Sequence, residues 1–266
     1  MTTSMQGPDL LETIVAAART AAADREQACP LDCLTAARAH RPDGAAFAAA
    51  LRHGPAPRIV AECKRRSPSR GILRPDYDPV AHARAYAAAG AAAISVLTEP
   101  TFFDGQLSHL AAVRAAVPTP LLRKDFIVTD YQVHEAAAGG ADAVLLIVAA
   151  LEPERLRHLR ELASSLGLAS LVEVHTAAEL ESALTSGAEI VGVNSRNLRT
   201  LSVDMEVTAA LAAEIPDNVI SVAESGIRSG DDIRRFSELG FDAFLVGERL
   251  ITQPDPGAAL EALRTS

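Results

Sequence analysis

An α/β fold, a (β/α)8 TIM barrel preceded by an N-terminal helical extension, is predicted by three observations. Short runs rich in β-branched residues recur eight times from residue 58 onward, each gives way to a longer alanine- and leucine-rich amphipathic stretch, and several of those stretches end at glycine. Repeated β-α units imply a parallel sheet, and eight of them in roughly 200 residues suit closure into a barrel. A doubly wound open sheet is the competing architecture. No GxGxxG turn, the mark of its dinucleotide-binding form, follows the first strand here.

Ahead of the barrel, residues 1–57 hold two helical patterns, Asp9 to about Ala28 and Asp32 to about Leu51, parted by Pro30. Leu10, Leu11, Ile14 and Val15 keep a helical period inside the alanine-rich background. This extension is expected to cap one barrel end rather than stand as a second domain, so that 1–57 and the barrel 58–266 make one structural domain. The predicted strands are Arg58 to Cys63, Ala93 to Leu97, Pro120 to Arg123, Ala143 to Val148, Ser170 to Val174, Ile190 to Val193, Val219 to Val222 and Ala243 to Val246. Between them, the helix after Asp78 should stop at Gly90, that after Asp130 at Gly139-Gly140, and that after Thr176 at Gly187.

Charge narrows the function. With 25 basic and 34 acidic side chains the net charge is -9, which argues against nucleic acid as a partner and obliges an anionic ligand to find a local positive site. No apolar run reaches the roughly 18–20 residues that cross a bilayer, and the N-terminus has no basic region leading into an apolar one; a cytoplasmic protein without a membrane partner is expected. Cys29, Cys33 and Cys63 lack CxxC spacing and read as structural thiols.

In this barrel class the active site lies at the C-terminal strand ends, where this sequence is rich in polar residues. The first strand delivers Glu62 and Lys64 and runs into Arg65-Arg66-Ser67-Pro68-Ser69-Arg70-Gly71. The third delivers Lys124-Asp125-Phe126, the fifth Glu173, the sixth Asn194-Ser195-Arg196-Asn197, and the seventh Glu224-Ser225-Gly226. Any one of these could be half of an internal ion pair. Two lysines and three glutamates converging on one mouth are costly to desolvate, and together they suit acid-base chemistry, with an ammonium as acid and a carboxylate as base. The seventh and eighth strand ends, Glu224-Ser225-Gly226-Ile227 and Leu245-Val246-Gly247-Glu248, also put glycines where barrel enzymes hold a phosphate on backbone N–H groups, with Lys64 near enough to add charge.

At these same residues the sequence resembles the indole-3-glycerol-phosphate synthase family. Ile59 to Ser69 (IVAECKRRSPS) is similar to the family's AE-x-K-R-x-SPS block, and SVLTEP (Ser95 to Pro100) with Phe103, LLRKDFIV (Leu121 to Val128), LVEV (Leu171 to Val174), GVNSRNL (Gly192 to Leu198) and AESGI (Ala223 to Ile227) follow in the family's order. The likeness runs from Arg58 to about Leu250 and is looser in the N-terminal helices. It implies a carboxy-lyase of tryptophan biosynthesis that closes 1-(2-carboxyphenylamino)-1-deoxyribulose 5-phosphate to an indole with loss of carbon dioxide and water, and that uses no cofactor and no metal. Carried onto this chain, the resemblance makes Lys124 the general acid of ring closure, Glu173 the base and Lys64 a second acid of the later steps, with Glu62 and Asn194 assisting. It also has Ser67, Arg196, Glu224 and Ser225 meet substrate polar groups, Phe103, Phe126 and Leu145 line an aromatic pocket, and Gly226, Gly247 and Glu248 cradle the phosphate.

Two residues depart from the family pattern. Arg249 follows Gly247-Glu248 where a small residue is usual, and three readings of it stay open: added phosphate affinity, a side chain in solvent, or a paralogue with an altered substrate. Cys63 replaces an aliphatic or aromatic strand residue and reads as core packing. A sister barrel acting as an isomerase on another phosphorylated aminosugar is a second reading, against which stands the lysine-rich loop Glu62 to Ser69. A repurposed, catalytically silent paralogue is a third, against which stand the intact Lys124, Glu173 and Lys64. The chain ends shortly after the eighth helix, so no fused isomerase domain is expected.

Overall fold

The computed structural model describes residues 9–36 and 40–265. Its strands are β1 (Arg58–Cys63), β2 (Ala93–Leu97), β3 (Leu121–Lys124), β4 (Ala143–Ile147), β5 (Ala169–Val174), β6 (Ile190–Asn194), β7 (Ile220–Glu224) and β8 (Ala243–Val246). They are parallel and close into a barrel in the order β1-β8-β7-β6-β5-β4-β3-β2. The helices that follow the strands are α4 (Pro79–Ala88), α5 (Leu107–Ala116), α6 (Asp130–Ala138), α7 (Pro153–Ser165), α8 (Ala177–Thr185), α9 (Met205–Ala212), α10 (Gly230–Glu238) and α11 (Pro256–Thr265). Their starts are chemically marked, since Asp78, Thr129, Thr176 and Ser229 each accept a hydrogen bond from a backbone N–H of the first turn.

Strand alternation sorts the apolar residues into two clusters. Ile59, Ala61, Ile94, Val96, Val172, Val174 and Val246 point outward and pack against the helices. Val60, Ala93, Leu122, Ala143, Leu171, Ile190, Val222 and Ala243 point inward and fill the barrel. Three strands contribute only alanine to the inner cluster at its base, and the fully buried Phe47 and Leu51 of the extension join that cluster. Cys63 is buried among the outward residues, as the packing reading has it, whereas Cys33 is exposed.

The extension departs from expectation in two ways. The single helix predicted from Asp32 to Leu51 is two, α2 (Leu31–Ala36) and α3 (Gly44–His53); residues 37–39, like residues 1–8 and 266, lie outside the described part. Pro42 explains the break, because it lacks an N–H and drives Arg41 from helical backbone, after which Asp43 caps a new helix by accepting from the Ala46 N–H at 2.8 Å. The extension also reaches both barrel ends rather than one. While α3 lies under the strand starts, α1 (Leu10–Ala28) brings Leu10 and Ile14 to the opposite mouth.

Asp142, just before β4, ties α3 to the barrel floor. Its carboxylate accepts from Asp43 N at 3.0 Å, Arg114 Nη1 at 3.0 Å and Leu121 N at 2.9 Å, and lies 3.0 Å from His40 Nε2. Removing it strands one buried and several half-buried groups at once, so Asp142→Ala is expected to cost about 3 kcal/mol of stability. A denaturant midpoint unchanged from that of the parent protein would refute this role.

Candidate active site

The third, sixth and seventh strands run further than their β-branched cores suggest, ending on Lys124, Asn194 and Glu224. The polar residues of the mouth therefore ride on the hydrogen-bonded sheet, where their Cα positions are rigid. Inward-facing residues of alternate barrel strands share a layer. On β1, β3, β5 and β7 that layer is Glu62, Lys124, Glu173 and Glu224. Neighbouring strands make room for it with glycine. A Cβ on Gly192 of β6 would lie 2.0 Å from Glu224 Oε1, and one on Gly247, just past β8, would lie 2.1 Å from Glu62 Oε2.

Lys124 is the hub. Its ammonium donates to Glu173 Oε2 at 3.0 Å and to Glu224 Oε2 at 2.7 Å, with both carboxylates essentially out of solvent. Burial disfavours the charged ammonium, but the charges of Glu173, Glu224 and Glu62 outweigh it and hold Lys124 protonated well above its ordinary range. Glu173 is likewise penalised by burial, yet Lys124 and His175 keep its carboxyl below the usual value, so it stays ionised. Glu224 goes the other way. Burial and the nearby Glu173 raise its carboxyl to about 7 against the pull of Lys124, so this position holds a proton part of the time at neutral pH. Lys64 pairs with Glu62 beside this cluster.

Around the charges lies a cavity of ≈ 580 Å³. One wall is apolar: Phe103 and Phe126, with ring centroids 6.2 Å apart, together with Leu145, Ile147, Leu198 and, from α1, Leu10 and Ile14. Phe103 is held by Glu99, whose carboxylate accepts from the backbone N–H groups of Thr101, Phe102 and Phe103 at 2.9, 2.7 and 3.1 Å. Phe126 is held by Asp125, which accepts its N–H at 2.8 Å and is itself gripped by the fully buried Arg123 at 2.9 Å. Alternation sends Arg123 outward, away from the cavity that Lys124 enters.

The opposite wall is polar. Ser225 (φ 64°) and Gly226 (φ 80°) are both left-handed, which turns the chain sharply at the end of β7 and brings it beside Gly247. For Ser225 that conformation costs about 1–2 kcal/mol. A one-turn helix, Glu248–Ile251, begins after Gly247, and its first N–H groups lack partners within the helix. Ser67 borders the cavity from the loop after β1, and Arg196 from the loop after β6, with one guanidinium nitrogen committed to the Leu201 carbonyl at 2.9 Å. The Glu248 carboxylate pairs with Arg70 at 2.5 Å, so only its backbone is left to serve an anion. Arg249 lines the cavity and donates from Nε to the Arg228 carbonyl at 3.0 Å, rather than standing clear in solvent.

All fifteen residues nominated from the sequence border this cavity. Reasoning from the sequence passed over Leu10, Ile14, Arg228, Gly192 and His175. The first two carried a usable signal, an i, i+4 apolar pair, but nothing in that spacing says which end of the barrel they meet. Among the described residues, no group of three or more His, Cys, Asp or Glu side chains is placed to hold a metal ion.

The indole-3-glycerol phosphate synthase family model matches residues 11–263. The chain belongs to the indole-3-glycerol phosphate synthase family. The chain is 49% identical over 257 residues to the indole-3-glycerol phosphate synthase of Saccharopolyspora erythraea, covering 97% of this chain and 95% of the relative. It is 51% identical over 258 residues to that of a Nocardioides species, covering 96% and 97%. The fold also recurs in a solved structure of thiamine phosphate pyrophosphorylase from Pyrococcus furiosus, with a TM-score of 0.60 at 21% identity over 78% of this chain and 94% of that one. As a member of this family the chain is a carboxy-lyase of tryptophan biosynthesis, converting 1-(2-carboxyphenylamino)-1-deoxyribulose 5-phosphate to indole-3-glycerol phosphate by ring closure, decarboxylation and dehydration.

Proposed function

We propose that the layer Glu62, Lys124, Glu173, Glu224 is the reaction centre, and the observation that carries this reading is the Lys124 ammonium fixed between two buried carboxylates at 3.0 and 2.7 Å. Attack of the anthranilate ring carbon on the ketone makes an alkoxide, and Lys124 is the general acid that meets it. An alkoxide is far more basic than any amine, so a raised ammonium pKa does not bar the transfer, while it does guarantee that the proton is present. The ring-closed species is an iminium. It can accept the electron pair released with carbon dioxide and regain aromaticity without an external electron sink.

Dehydration then requires a base at the ring nitrogen and an acid at the hydroxyl. Glu173, held ionised, is the base, and Lys64 the second acid, with Glu62 orienting Lys64 and Asn194 beside Glu173. Phe103, Phe126 and Leu145 hold the anthranilate ring, Ser67, Arg196, Glu224 and Ser225 meet polar groups of the substrate, and the phosphate rests on the backbone of Gly226, Gly247 and Glu248. The test is a single turnover of Glu173→Gln that follows both products. Carbon dioxide should appear faster than indole absorbance, since only the later step needs the base; equal slowing of both would remove Glu173 from that role.

Arg249 bears on the phosphate end. Its charge lies at the rim, where solvent screens it, so Arg249→Ser is expected to raise KM about fivefold and leave kcat nearly unchanged. An unchanged KM would place the guanidinium outside the binding field. The substrate is a small phosphorylated molecule, not nucleic acid or a lipid surface. Support comes from the net charge of -9, and no described helix is long and apolar enough to cross a membrane; the setting proposed with this reading is the cytoplasm. Residues 1–57 and 58–266 act as one structural domain, since α1 lines the substrate cavity and α3 buries Phe47 and Leu51 in the barrel.

A further inference from the structure

Behind Glu173 the cluster continues in a direction the reaction scheme does not use. Strand β5 ends at Val174, and His175 follows, with only 10% of its side chain exposed. Its Nε2 faces Glu173 Oε1 at 3.7 Å, and its Nδ1 lies 3.3 Å from Glu179 Oε2. Glu179 is fixed in turn, because the same Oε2 accepts the His175 backbone N–H at 2.7 Å and the Glu179 N–H is capped by Thr176 at 3.2 Å in the first turn of α8. Glu173 Oε1 and His175 Nε2 are both buried and accept or donate no hydrogen bond among the described residues. Glu173 Oε2 is already spent on Lys124.

The geometry points to His175 as a positioning residue, an imidazolium clamped by Glu179 that orients Glu173 and keeps it ionised for its work as base. A neutral imidazole fits poorly. With its proton on Nδ1 toward Glu179, it would turn the Nε2 lone pair on the Glu173 carboxylate; with the proton on Nε2, it would turn the other lone pair on Glu179. The doubly protonated ring satisfies both. Burial pulls the His175 pKa down, but the Glu179 hydrogen bond, the charges of Glu173 and Glu179 and the Arg196 backbone nearby together leave it above the ordinary histidine value. Glu173 also faces Lys124 from β3, Glu224 across the same ammonium from β7 and the uncharged Asn194 from β6. His175 is thus a second cation on Glu173, on the carboxylate oxygen that Lys124 leaves open.

This role rests on Glu173 being the base, and it is tested by the pH dependence of single-turnover dehydration. In His175→Gln and in Glu179→Gln the acid limb should move up by about one pH unit, giving an approximately tenfold loss at pH values on that limb that is regained above it, with KM unchanged. Because both variants act through one contact, the double variant should shift no further than His175→Gln alone. A loss equal at every pH, or a limb that stays in place, overturns the role. If Glu173→Gln itself turns over normally, the base assignment fails instead. Should His175→Gln fold poorly, the unaltered protein still decides, because its His175 ring protons, followed by NMR, should titrate above pH 6.5. Titration below that value overturns the proposal.

Discussion

Lys124→Met is expected to lower kcat by about three orders of magnitude or more, because it removes both the acid and the charge that meets the developing alkoxide. Methionine keeps most of the volume, so the loss reports chemistry rather than a cavity. The same change sets two carboxylates, Glu173 and Glu224, against each other without the ammonium that now lies 3.0 and 2.7 Å from them. One must take up a proton. Glu224, already raised to about 7, is the group that will do so first.

A stability signature follows, and its sign can be worked out. A carboxyl whose pKa is higher folded than unfolded binds more protons in the native state, so stability falls as pH rises from the unfolded value toward the folded one. The variant should therefore be destabilised relative to the parent protein by about 3 kcal/mol at pH 8 and by clearly less at pH 5.5. Indole absorbance measures the first effect and paired thermal melts the second. Retention of kcat within tenfold would remove Lys124 from the acid role, and a pH-independent stability gap would remove the carboxylates from its pairing.

Much of this was legible in the chain because barrel strands advertise themselves. β1, β2 and β8 begin and end where their β-branched runs do, because in each an apolar residue closes the run, even though Glu62 and Ser95 sit inside two of them. Three of the five strands with polar residues at the mouth run past the ends their apolar runs suggest, while β1 and β5 stop where expected. Periodicity treats Lys124, Asn194 and Glu224 as loop residues, whereas in the fold they complete the ladder and face one another across it, a compensation that only tertiary contact provides. The helix break at Pro42 was visible in principle, but the alanine run on either side drowned it. Glu248 was correctly placed at the cavity but not in its side-chain partner, because its pairing with Arg70 spans 178 positions and no local pattern encodes it. Cys63 could be read correctly because an inert thiol needs only burial.

The glycines that make room for the charged layer, Gly192 and Gly247, give the second large effect. Gly192→Ala and Gly247→Ala are each expected to lower kcat/KM by about a hundredfold while moving the melting temperature by only a few degrees. Gly247 has φ -119°, outside the left-handed region, so the strain that burdens Gly226 is not the cause. The new methyl would instead fall 2.1 Å from Glu62 Oε2 and 3.1 Å from Lys64 Nζ, or at Gly192 2.0 Å from Glu224 Oε1. Those atoms are the far ends of side chains rather than backbone, so the clash relaxes at modest cost in folding energy, helped by the smaller unfolded-state entropy of alanine. It relaxes, however, by displacing the reaction centre by about 1 Å, the kind of error that costs catalysis far more than stability. Gly226→Ala supplies the contrast, since its φ of 80° makes alanine strained and the nearest atom, Met205 Cγ at 3.0 Å, is outside the charged layer. It should lose stability first. If Gly192→Ala keeps kcat within threefold, the glycines are not what holds the layer in register, and the tight fit between even and odd strands carries no catalytic weight.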